Sequence, residues 1–157
     1  HQVTKIDRNV EREIELDCAR LLHRFYGFLD EKRYSEMVNL FLPEGAWVRL
    51  GEELLGPEAI LEAMDGRNDW LTVHVVTNIR VTVVNINEAH TVQYVTLYRH
   101  EGYDAAEGPA LVVPPIGVLR HADHLVRSQG EWKFLRKTSR ALMTDRARVT
   151  HYDKPKN

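Results

Sequence analysis

The chain has 157 residues, enough for one domain with one core. Apolar residues make up 43% and charged residues 28%, and the net charge is −2 with both signs interspersed, which excludes the basic footprint of a nucleic-acid binder. No apolar run nears the roughly 20 residues of a membrane-spanning helix, and the single cysteine, Cys18, fits a reducing, cytoplasmic setting without disulfides.

Residues 9–31 form the first predicted helix. Ile14, Cys18, Leu21, Phe25 and Phe28 recur at spacings of four and three, so they share one stripe, which Leu22 and Leu29 widen. Asn9 is the expected N-cap. Asp30 ends this helix at the edge of the stripe. It is a solvated helix-end carboxylate, an N-cap for the helix that starts near Arg33, or a group turned toward a cavity. Tyr26, one turn earlier, is an aromatic at the core boundary or a hydroxyl donor to a substrate oxygen. The spacing of Tyr34, Met37, Val38 and Phe41 predicts a second helix over about 33–41, stopped by Pro43 and Gly45. The stretch AWVRL reads as a short strand, GEE as a turn, and GPEAILEAM as a third helix opened by Pro57.

From residue 72 the period becomes extended. TVHVVTNIRVTVVNI is one long strand, NINE a turn, and AHTVQYVTLYRH a second strand. Residues 101–115 are a loop with room for a short hairpin. IGVLRHADHLVRS, the turn QG, and EWKFLRKTSRALM complete the pattern. Three helices followed by a four-stranded antiparallel meander predict an α+β fold with the helices on one face of a curved sheet. A curved sheet closed by helices leaves a hollow at its open end, where small molecules bind. One domain over 1–157 is expected, with its core at about 9–142 and a polar tail, 143–157, that frays. A sheet face rich in valine and leucine predicts a homodimer or homotrimer packed through the sheet.

The first long strand raises a question, because His74 stands among valines. It is either a core histidine bonded to backbone or a proton carrier on a cavity wall. Regular alternation puts His74 with Val76, Asn78 and Arg80, opposite the more apolar set of Val73, Val75, Ile79 and Val81. A cavity with polar lining, or a bulge that changes face, reconciles this. On the second strand Tyr94 and Tyr98 share a face and are expected to pack on the helices. On the third, His121 and Asp123 share a face, as a site pair or an exposed outer pair, with His124 on the other side. The eight histidines form no HxH or HExxH pattern, and HADH offers at best two ligands on opposite faces, so no metal site is expected. GxGxxG, GxxxxGK[ST] and GxSxG are absent from the sequence, and no cofactor is expected.

Four stretches, spanning about residues 14–140, carry a resemblance: FYGFLDEKRYSEMVNLF, LPEGAWV with GPEAI, HVVTNIRV, and RHADHLVRSQGEWKF. In their order and spacing the chain resembles the nuclear transport factor 2-like superfamily, a cone-shaped α+β fold. More narrowly it is similar to the SnoaL-like branch, which includes scytalone dehydratase-like and hexachlorocyclohexane dehydrochlorinase-like enzymes. The resemblance implies that Asp30 pairs with His74 and that His74 is a general base. It sets His100 near a second histidine of the dehydratases, His121 opposite their third-strand asparagine, and Asp123 at an aspartate of the dehydrochlorinase. The dehydrochlorinase lysine of the first helix is replaced by Phe25 and its last-strand arginine by Lys137, which argues against dehydrohalogenation itself.

The expectation is a cofactor-independent acid/base lyase of the dehydratase kind, or an isomerase or cyclase, acting on a small hydrophobic cyclic or aromatic molecule. His74 takes or shuttles the proton, Asp30 orients it, and Tyr26, His121 or Asp123 holds the oxygen side. A neutral imidazole has one donor and one acceptor nitrogen, so a carboxylate on one fixes the other as the base. The rival readings are a non-catalytic ligand-binding domain and a structural subunit resembling the small subunit of a ring-hydroxylating dioxygenase.

Overall fold

A computed structural model of the protein describes residues 5–149, so most of the predicted tail lies outside the described residues. Helix α1 (Arg8–Asp30) starts one residue early because Asp7, not Asn9, caps it. The Asp7 carboxylate accepts from the N–H of Asn9 at 2.9 Å and of Val10 at 3.4 Å. The predicted stripe is the buried face, and burial, aided by Asp17, lifts the Cys18 thiol to about 12. Lys32 stops the helix. It takes a φ of 59°, and Arg33 N–H donates to the Phe28 carbonyl at 2.8 Å. Asp30 is thereby left as the last helical residue.

The predicted second helix shrinks to α2 (Tyr34–Val38), five residues long. Phe41 instead begins β1 (Phe41–Arg49), which pairs in parallel with the last strand, β6 (Glu131–Thr144). Pro43 and Gly45, expected to stop a helix, sit inside β1 where its register slips between Phe41 and Ala46. At Gly45 a Cβ would lie 2.8 Å from the Phe134 carbonyl oxygen, so glycine is what lets the two strands approach. A turn at Leu50–Gly51 leads to β2 (Glu52–Leu55), and α3 (Gly56–Asp65) follows as predicted. The remaining strands are β3 (Leu71–Asn85), β4 (Glu88–His100) and β5 (Gly117–Ser128).

The sheet therefore has six strands in the order β2-β1-β6-β5-β4-β3 and is mixed, where a four-stranded antiparallel meander was expected. The α+β class holds. The loop after β4 carries one 3₁₀ turn, Ala105–Glu107, in place of a hairpin. Phe25 centres the core, with its ring edge-on to Tyr26, Trp47 and Phe134 at centroid distances of 5.1, 5.3 and 5.4 Å. Tyr94 faces outward and is 37% exposed, because the inner positions of β4 are Ala89, Thr91, Gln93 and Val95. Among the described residues no helix is long and apolar enough to cross a membrane.

The face of β3 changes midway. Its pairing with β4 slips between Thr77 and Arg80, and Asn78 takes a φ of 54°. Before the bulge Thr72, His74 and Val76 point inward, while Val73 and Val75 stay 44% and 41% exposed. After it Ile79, Val81 and Val83 pack on the core. The bulge thus turns the His74 side of the first half and the apolar side of the second half to the helices, and His74 ends up inside.

Candidate active site

Two histidines face one cavity, and different groups stand behind them. On one side, the end of α1 meets the start of β3. Asp30 Oδ1 lies 2.5 Å from His74 Nδ1, Oδ2 accepts from the His74 backbone N–H at 2.8 Å, and Oδ1 also accepts from Thr72 Oγ1 at 3.1 Å. A carboxylate at a helix C-terminus opposes the helix dipole; these three donors offset that. An ionised carboxylate can only accept, so His74 Nδ1 carries the hydrogen, and in the neutral ring Nε2 is the nitrogen with the free lone pair. The His74 side chain is 7% exposed and that of Asp30 22%.

On the other side, β4, β5 and β6 stack polar residues across the inner face. Their register sets Gln93 opposite His121 and Thr91 opposite Asp123, with Lys137 opposite Asp123 on the far flank. Lys137 and Asp123 are both fully buried and pair at 2.8 Å. Asp123 Oδ2 also accepts from Thr91 Oγ1 at 3.0 Å and from Gln93 Nε2 at 2.7 Å. Because the carboxylate accepts only, it turns the Gln93 amide nitrogen inward, leaving Oε1 without a partner among the described residues. Gln93 Nε2 then also donates to Tyr26 Oη at 2.9 Å, as does Lys137 Nζ at 3.4 Å. Both lone pairs of that hydroxyl are taken, so its hydrogen goes to the remaining neighbour, His121 Nδ1, at 2.6 Å. His121 Nδ1 is therefore an acceptor, and Nε2 carries the hydrogen.

The electrostatics agree. Burial first, then Lys137, His74 and Arg49, hold His121 well below the usual histidine range, so it is neutral at pH 7. Burial and Asp123 push the Tyr26 hydroxyl well above its usual range, so it keeps its proton. The Tyr26 ring lies between the imidazoles, with centroids 6.1 Å from His74 and 5.6 Å from His121.

His74 and His121 line a cavity of about 150 Å³ together with Leu29, Trp47, Met64, Leu97, Leu119 and two arginines, Arg49 and Arg67. A neighbouring hollow of about 320 Å³ shares both arginines. Of the five residues singled out in the sequence, then, two form the wall, and Asp30, Tyr26 and Asp123 stand behind them. His100 is elsewhere: Leu97 pairs with His74, and His100 lines a groove on the outer face beside Leu111 and Val112. Thr72, Gln93, Arg49 and Arg67 went unremarked in the sequence. Alternation along β4 could have flagged Gln93, a polar residue between the apolar positions Ala89 and Val95. Glu88, His90 and His124 gather on the outer face, with candidate ligand atoms within 4.8 Å of one another. Cross-strand pairing of His90 with His124 builds this group, which spacing along the chain cannot reveal.

The fold is shared with several solved structures. A candidate scytalone dehydratase from Novosphingobium aromaticivorans DSM 12444 superposes with a TM-score of 0.77 at 20% identity, covering 96% of this chain and 99% of that one. The hexachlorocyclohexane dehydrochlorinase LinA-type3 from Novosphingobium barchaimii LL02 gives 0.72 at 18% identity, covering 95% and 100%. A protein of unknown function with a cystatin-like fold from Nostoc punctiforme PCC 73102 gives 0.69 at 18% identity, covering 81% and 90%. No curated protein matches the chain. The model of the SnoaL-like domain matches residues 10–138, which takes in both histidines, the groups behind them and all of the cavity wall but Ser139 and Ala141. The chain belongs to the SnoaL-like domain family.

Proposed function

We propose that the protein is a cofactor-independent lyase that eliminates water from a small, largely apolar carbonyl compound, with His74 as the base. The observation that carries this reading is the pair of imidazoles on one cavity wall whose Nδ1 atoms meet opposite partners, at His74 a carboxylate that can only accept and at His121 a hydroxyl that is left to donate. His74 Nε2 takes a proton from the carbon next to the carbonyl. The electron pair moves to the carbonyl oxygen, where His121 Nε2–H holds the enolate. Collapse of the enolate expels the hydroxyl group on the next carbon. That group leaves as water with the proton from the His74 imidazolium, so both imidazoles end neutral. His121 donates a hydrogen bond throughout and keeps its proton, since a neutral imidazole that lost it would be an imidazolate. Asp30 holds the tautomer of His74 and balances the charge of the imidazolium.

Isomerisation needs the same atoms. If no leaving group lies next to the enolate, His74 returns the proton to a different carbon. A binding domain has no use for an aspartate that accepts three hydrogen bonds in order to orient one imidazole. Turnover of small cyclic β-hydroxy ketones, read as the ultraviolet absorbance of the enone, tests the lyase reading. Exchange of carbon-bound hydrogen in D₂O tests the isomerase reading. Wild-type protein should show one or the other and His74→Gln neither. Equal rates in the two proteins would place the base elsewhere.

A further inference from the structure

The cavity holds two guanidinium groups that the proton chemistry does not use. Arg49 ends β1 and Arg67 follows α3, and both line the space that His74 and His121 line. Among the described residues neither makes an ion pair. Other half-buried or buried cations do: Lys137 pairs with Asp123 at 2.8 Å, Arg99 with Glu101 at 2.9 Å and Arg148 with Asp145 at 2.7 Å. The Arg49 guanidinium instead lies over the Trp47 ring at 5.2 Å, and that ring is pinned by its own bond to Ser139 Oγ at 2.8 Å. Arg67 lies over the Tyr34 ring at 5.8 Å and donates to its hydroxyl at 3.5 Å. Aromatic faces orient these forks without neutralising them. Burial and the like charge of Arg67 both work against the charged form of Arg49. Glu52, opposite Arg49 on β2, partly opposes them without forming an ion pair with it.

Two half-buried cations without an ion-pair partner, set side by side at an apolar cavity, make a local positive field that an anionic ligand would complement. We infer that the substrate carries a carboxylate, held by Arg49 and Arg67 at the mouth of the cavity while its apolar body reaches His74. A guanidinium fork matches a carboxylate through two parallel hydrogen bonds, which fixes direction as well as charge. The substrate class is therefore a small apolar carboxylic acid with a second oxygen function for His121. This rests on the proposed function for where the reacting carbon sits, but the anion subsite stands without it.

Calorimetry with two probes of one shape, cyclohexanecarboxylate and cyclohexanecarboxamide, tests the subsite. Wild-type protein should bind the carboxylate at least about tenfold more tightly, with a preference that fades as salt is added. Arg49→Gln and Arg67→Gln should each lose most of that preference and leave amide binding unchanged. Arg49→Lys, which keeps the charge but not the fork, should retain part of it. His74→Gln should keep the full preference, so loss of turnover in that variant with the preference intact separates the base from the anion subsite. The inference is overturned if wild-type protein shows no carboxylate preference, whether it binds both probes alike or neither at millimolar concentration. It is overturned as well if both glutamine variants keep the preference.

Discussion

The two histidines of the cavity differ in what stands behind them. His74 backs onto a carboxylate that can only accept, His121 onto a hydroxyl whose lone pairs are already taken. The same side chain is thereby held by its Nδ1 hydrogen in one place and by its Nδ1 lone pair in the other, without any difference in the histidine itself. Burial does not make the distinction, since both imidazoles are largely enclosed. The direction of one hydrogen bond behind each ring does.

The largest effect expected from breaking this arrangement is on His74. His74→Gln should lower kcat by about 10²–10⁴ with the fold intact, the range for loss of a general base. Asp30→Asn should act in the same direction, because an amide can donate to Nδ1 and select the wrong tautomer. The double variant should lose little more than the worse single one. Additive losses in the kinetics would mean that the two residues do not act as a unit.

The His121 side should fail through stability before it fails through rate. Lys137→Met leaves Asp123 charged and buried, and should destabilise the fold by about 3–5 kcal/mol in denaturant titration. Lys137→Met combined with Asp123→Leu removes both charges and should recover much of the loss. If the single variant is as stable as wild type, the buried pair is not what organises this side.

The first side was legible in the sequence and the second largely was not. Asp30 and His74 sit at an element end and on a strongly patterned strand, where a resemblance can attach to them. Alternation alone did not choose the face of His74, because the bulge at Asn78 depends on the pairing of β3 with β4 rather than on local propensity. The other side is built by register. Gln93 meets His121, and Asp123 meets Lys137, only because three strands align to the residue. The parallel pairing of β1 with β6 was hidden for a related reason. Phe41 fits a helical stripe equally well, and only Phe134 opposite makes it a strand residue. Arg49 and Arg67 come from separate elements, and nothing along the chain joins them.

A smaller effect is expected at Tyr26. Tyr26→Phe leaves the buried His121 Nδ1 without its donor and leaves Gln93 and Lys137 with Asp123 as their one remaining acceptor, which should cost about 1–3 kcal/mol of stability in denaturant titration. Turnover should fall as well, since His121 is no longer held as the Nε2–H tautomer. A Phe variant with wild-type stability and rate would remove the hydroxyl from the account.

The smallest effect is on pH dependence. His121 is held neutral in the folded protein, below the unfolded value of about 6.5, so its contribution is complete above that pH. It is lost as pH falls from there toward the folded value, because the unfolded chain takes up a proton that the folded chain refuses. The slope from this one group is at most about 1.4 kcal/mol per pH unit. His121→Asn should flatten the stability–pH curve below pH 6.5 by that component. An unchanged curve would mean that His121 takes up its proton in the folded state as readily as in the unfolded one.

Opposite tautomers at the two imidazoles are read directly by ¹⁵N chemical shifts of the histidine ring nitrogens at neutral pH. The expected result is a protonated Nδ1 and bare Nε2 for His74, and a bare Nδ1 and protonated Nε2 for His121. Tyr26→Phe should abolish the second pattern and leave the first in place. The same tautomer at both positions, or a His121 charged at neutral pH, would contradict it.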